Sequence, residues 1–112
     1  MVDNSDLVYN GISLYKLTES AYNHYRLGTK DNADISFEEA RRKITRNIKM
    51  SIVKSKWKSY GHELTSHYYG SLQIITRGDL VIRIKRGYKP NPEYVFHKRK
   101  YEKLTKRLDL VK

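Results

Sequence analysis

Apolar positions recur at helical spacing in three parts of the chain and alternate at strand spacing in one. The longest helical pattern opens at Ser36, which is followed three residues later by Glu39 in the capping-box arrangement. No Pro or Gly follows until Gly61, so the spacing predicts one helix from Ser36 to Tyr60, about six turns long. Phe37, Ala40, Ile44, Ile48 and Ile52 form its apolar stripe. Arg42, Arg46, Lys49 and Lys56 lie opposite, and Val53, Trp57 and Tyr60 join them near the C-terminal end. One side calls for a core; the other mixes positive charge with aromatic surface.

Residues 5 to 27 read as an earlier helix, capped by Ser5, with Leu7, Leu14, Leu17, Ala21 and Tyr25 at helical intervals and Gly28 as its stop. Gly11 inside it costs about 1 kcal/mol, so the first two turns can be separate. Residues 29 to 35 form a polar connector, and 62 to 70 fit either a loop or a short leading strand. Residues 72–77 and 80–85 flank Gly78-Asp79, a two-residue hairpin turn between β-branched runs. In that register Ile75 faces Ile82, Gln73 faces Ile84, and Arg77 faces Leu80 on the expected core side. Arg83 and Lys85 then point together away from the core. Residues 87 to 91 turn again. Asn91 and Pro92 then open a last helix whose stripe is Tyr94, His97, Tyr101, Leu104 and Leu108, with Arg99, Lys100, Lys103, Lys106 and Arg107 opposite.

The expected fold is α+β: two N-terminal helices, the second long, a β-hairpin or short three-stranded antiparallel sheet, and a C-terminal helix. All 112 residues fit a single small domain. This element order resembles that of the double-stranded-RNA-binding domain. However, Tyr94, Val95 and Phe96 stand where that domain's last helix has its alanine-rich basic start, so no family is read from it.

Charge changes this picture more than composition does. The chain is 38% hydrophobic and 31% charged, which suits a globular protein. It has no cysteine, so disulfides and thiolate metal sites are excluded. No run is apolar and long enough to span a membrane, and the first residues lack a signal-peptide pattern, so a cytoplasmic protein is expected. The net charge of +11 is unevenly spread. Residues 1–35 carry three basic and five acidic side chains, whereas 36–112 carry twenty and seven. Asymmetry of this kind favours a polyanionic partner.

Candidate enzyme chemistry is thin. His62-Glu63 and His67 invite comparison with the HExxH zinc motif, but the histidines are five apart, about 140° around a helix, and Gly61 disfavours a helix there. Glu63, Asp79 and Lys85 resemble a PD-(D/E)xK nuclease site only loosely, because Arg83 occupies the acid position two before the lysine. Glycine-rich phosphate loops are absent. No catalytic residue, metal or cofactor is expected.

Non-enzymatic nucleic-acid binding is the leading expectation, with Arg42, Arg46, Lys49, Lys56, Arg83 and Lys85 meeting phosphates and Arg99, Lys103 and Lys106 extending the surface. Trp57 and Tyr60 would supply aromatic contacts, and Tyr68, Tyr69 and Tyr88 are further stacking platforms. DNA and RNA are both open. The alternative is a phage or mobile-element inhibitor, anti-CRISPR-like or otherwise directed against host defence. Its basic faces would dock on an acidic patch of a nucleic-acid enzyme, with Trp57 and the tyrosines as protein hot spots.

Overall fold

The computed structural model describes residues 4–110. A small antiparallel hairpin comes first, β1 (Val8–Tyr9) and β2 (Ile12–Ser13), then β3 (Lys16–Leu17). Two helices follow, α1 (Glu19–Gly28) and α2 (Phe37–Met50). Four strands come next: β4 (Ile52–Ser59), β5 (His62–Tyr69), β6 (Leu72–Arg77) and β7 (Leu80–Arg86). The last element is α3 (Lys98–Arg107). One five-stranded sheet has the order β3-β7-β6-β5-β4, antiparallel except for the parallel β3–β7 pair.

The α+β class expected from the pattern holds, but the sheet is larger and the helices shorter. The helix expected over Ser36–Tyr60 begins as predicted, with Ser36 Oγ accepting from the Glu39 amide at 3.1 Å, and ends at Met50. Ser51 is the C-cap and its hydroxyl donates to Ile48 O at 2.6 Å. From Ile52 the chain is strand. Two β-branched residues and lysines at every second position (Lys54, Lys56, Lys58) carried the period of a strand, and no helix breaker was needed to end α2. Residues 62–70, ambiguous in sequence, supply β5, and the full-length β4–β5 pairing favours the strand over the helix.

The helix expected over 5–27 is confined to α1, capped by Thr18, whose Oγ1 accepts from the Ala21 amide at 3.1 Å. Asn10-Gly11 forms the turn of the β1–β2 hairpin, with φ of 48° and 82°. Positive φ at both central residues is the type I′ requirement that Asn-Gly meets best. Tyr60-Gly61 repeats these angles, 49° and 81°, between β4 and β5. The last helix starts at Lys98 rather than Pro92. Asn91 Oδ1 instead accepts from the Glu93 amide at 2.9 Å in a turn, and Tyr94 packs edge-on against Tyr69.

The Gly78-Asp79 hairpin forms where expected, with Arg77 opposite Leu80. A bulge then inserts Ile82 into β7, so that Ile75 pairs with Arg83 and Ile74 with Ile84. One extra residue exchanges faces for everything beyond it on one strand. The core side is therefore Leu72, Ile74, Thr76, Val81 and Ile84, all buried, not the Ile75 and Gln73 face. Arg83 and Lys85 still point away together.

Leu72, Ile74, Val81 and Ile84 join Leu17, Ala21, Tyr25, Ala40, Ile44 and Ile48 in the main core between the sheet and α1–α2. A second cluster, on the other side of α2, joins Ile12, Leu14, Met50, Leu104, Leu108 and Leu110. The second face of α2 is thus packed rather than solvated. Arg41 is fully buried there, with Nε donating to Tyr15 O at 2.8 Å. Thr45 Oγ1 accepts from the Tyr15 amide at 2.9 Å. Arg42 donates to the carbonyls of Leu108 (2.9 Å) and Asp109 (3.1 Å) and stacks over the Tyr9 ring at 5.1 Å. Arg46 lies 4.6 Å from the Tyr101 centroid and donates to Thr105 Oγ1 at 3.3 Å. His67 is buried under the end of α2, with Nε2 3.0 Å from Thr76 Oγ1 and Nδ1 3.4 Å from Ser51 Oγ.

Two outcomes follow from these buried groups. Arg41→Ala leaves backbone carbonyls unpaired in the interior and is expected to lower stability by about 3 kcal/mol, read as a lower urea midpoint at unchanged slope. Burial, with a smaller contribution from the charge of Lys56, holds His67 below the ordinary value of 6.5, so it is neutral in the fold. The unfolded chain binds that proton more readily, so stability falls as pH drops through about 6.5 towards the folded value. Urea melts of wild type and His67→Gln across this window check it: the variant is expected to lose part of the pH dependence.

Candidate nucleic-acid interface

Strand alternation divides the sheet's side chains into two sets. One faces α1 and α2. The other carries Trp57 and Ser55 from β4, Leu64, Ser66 and Tyr68 from β5, Gln73, Ile75 and Arg77 from β6, and Arg83 and Lys85 from β7. Among the described residues no helix covers this second face: α1 and α2 meet the sheet through the main core, and α3 packs on α2. Apart from the small Ser66, whose Oγ accepts from Gln73 Nε2 at 2.9 Å, these residues are half-buried or exposed.

Their chemistry is graded across the sheet. β4 and β5 contribute aromatic and aliphatic surface, while β6 and β7 contribute three cations. Among the described residues, none of the side chains on this face is a carboxylate. Glu63 of β5 projects to the opposite face, and acids at two margins are paired. Lys16 Nζ lies 2.7 Å from Asp6 and 3.4 Å from Asp79 at the β3 edge, and Lys54 pairs with Glu93 beside β4. Hydrogen bonding to Lys16 holds the Asp6 carboxyl below its usual range. A depression of about 470 Å³ opens where Tyr68, Gln73 and Lys85 meet the 87–92 turn with Lys89, and it too has no carboxylate in its lining.

The residues expected to meet phosphate fall into separate groups. Arg83, Lys85 and Trp57 share the uncovered face, and Tyr60 is fully exposed at the β4–β5 turn beside it. Lys56 points to the opposite face near Thr65, in a second depression with Tyr15 and His67. Lys49 is exposed at the end of α2. Arg99, Lys103 and Lys106 are exposed on α3, on the helix side of the molecule. Arg42 and Arg46 are engaged in the α2–α3 packing. The hairpin and α3 therefore present two basic surfaces on opposite sides of the sheet. Arg77 and Leu64 joined the first unannounced; period-two alternation in β5 and β6 was the available signal. His62 and His67 lie on opposite faces, and no cluster suited to a metal ion occurs among the described residues. No helix is long and apolar enough to cross a membrane among them either.

A family model named YorE matches residues 15–107. The chain belongs to the YorE family. The match runs from β3 through the last residue of α3, so every strand of the main sheet lies within the YorE unit. No curated protein and no solved structure matches the chain.

α3 has a feature that stability alone does not explain. Its first turn holds Lys98, Arg99 and Lys100 with no acid, and His97 gives no side-chain cap. Cations at the positive end of a helix dipole cost a few tenths of a kcal/mol each. Replacing Lys98 and Arg99 with Glu is expected to raise the thermal midpoint, by about 0.5 kcal/mol of stability per site. Calorimetry showing a lower midpoint would contradict this.

Proposed function

We propose that the chain is a non-enzymatic nucleic-acid-binding protein that holds phosphates on the uncovered sheet face. Arg83, Lys85 and Arg77 carry the contact there, and Lys89 adds a cation at the rim of the adjoining depression. Trp57 and Tyr60 give aromatic surface alongside. Lys49 and Lys56, with Arg99, Lys103 and Lys106 of α3, strengthen the long-range attraction from the other side of the molecule.

The observation that carries this proposal is a broad sheet face that, among the described residues, has no helix over it, three cations and no carboxylate. An ordinary solvated face mixes both signs. Phosphate contact needs cations and few acids, and it asks for no base-reading motif.

The test is binding of DNA and RNA oligonucleotides across a salt series. Affinity is expected to fall steeply with salt, and Arg83→Glu with Lys85→Glu is expected to flatten the log–log slope by about 1.5. Arg42 is engaged inside the fold, so its loss should act on stability and leave the slope intact. Silence towards both nucleic acids at low salt would remove the proposal.

A further inference from the structure

Within nucleic acids, the layout of this face separates single strands from duplexes, provided that the phosphate contact proposed above holds. The sheet from β4 to β7 spans about 14 Å at 4.8 Å per strand. A B-form major groove is about 12 Å wide and admits a two-stranded ribbon or one helix. A four-strand face cannot enter it, so against a duplex it would touch only phosphate ridges, and Trp57 would have no base to meet.

An unpaired strand suits the same face better. Trp57 stands opposite Leu64, and Tyr68 lies four residues further along β5, about 13 Å away at 3.3 Å per residue. That distance spans several nucleotides, so the two rings serve different bases. Ser66 lies between them on β5, and Gln73, opposite Tyr68 on β6, donates to the Ser66 hydroxyl. Lys85 lies two strands across from Tyr68, about 10 Å away, and Arg83 lies two strands across from Ser66, so both long cations flank the line of the two rings. Trp57 is 38% exposed, a ring supported by the sheet with area left over for a partner. Tyr69, of opposite parity, is turned to the helix side, where burial raises its hydroxyl to about 12. It is unavailable for stacking.

We propose that a single-stranded nucleic acid lies across this face, with bases stacked on Trp57 and Tyr68 and phosphates running along β7 past Arg83 and Lys85. Stacking of this kind tolerates any base, so sequence preference should be weak.

Trp57 is the chain's sole tryptophan, so its intrinsic fluorescence reports on the site directly. Short oligothymidylate and oligouridylate are titrated into the full chain, and a short duplex of the same length in parallel. The single strands are expected to quench Trp57 and to bind at least about tenfold more tightly than the duplex. Tyr68→Ala is expected to weaken single-strand binding roughly tenfold with duplex binding and salt slope unchanged, and Trp57→Phe should retain most of the affinity. Equal affinity for duplex and single strand with no Trp57 response would overturn the stacking platform and leave phosphate binding standing. No binding of either would remove both.

Discussion

The packing of α2 on both its sides is the constraint from which the rest of the structure follows. Its apolar stripe, Ala40, Ile44 and Ile48, closes the core against the sheet. Its other side reaches outward with three arginines. Arg41 holds the carbonyl of Tyr15, Arg42 holds those of Leu108 and Asp109, and Arg46 sits over Tyr101. One helix thereby fixes the entry to β3 and the position of α3. Because both helical layers stack on one side of the sheet, no helix among the described residues covers the other. A buried guanidinium held by backbone carbonyls is expensive to disturb, which makes this arrangement rigid.

Much of the architecture was legible in the chain. The Ser36 cap, the α2 stripe as far as Ile48 and the Gly78-Asp79 hairpin read correctly, because each is specified by residues adjacent in sequence. The failures were of another kind. The end of α2 at Ser51 has no Pro or Gly to mark it, and helix-compatible residues from 52 to 59 become a strand because β5 offers them eight residues of partner. That is tertiary override of a local preference. Gly11, a cost in the expected helix, is with Asn10 the turn of a hairpin, a pairing for which Asn-Gly is a strong short-range signal.

The candidate site was legible in its residues more than in its geometry. Arg83 and Lys85 kept a common direction through the Ile82 bulge, since both follow it on the same strand. Trp57 is an aromatic among cations in the helical reading, and on β4 beside Leu64 its ring stays partly exposed, at 38%. Arg42 and Arg46 could not be told from surface cations by pattern alone. Their role depends on Tyr9, Tyr101 and the 105–109 carbonyls, which lie far away in sequence. A basic stripe opposite an apolar one is the same pattern whether it meets solvent, a polyanion or a second layer of the protein.

The central claim is that the helix-free face of the sheet, not the basic outer side of α3, is where a polyanion is held. Two-dimensional amide NMR of the labelled chain during titration with oligothymidylate tests it most directly. Shifts concentrated on the Trp57 indole, Leu64, Tyr68, Ile75, Arg83 and Lys85, with α3 quiet, are predicted. Shifts confined to Arg99, Lys103 and Lys106, with the sheet unmoved, would contradict it.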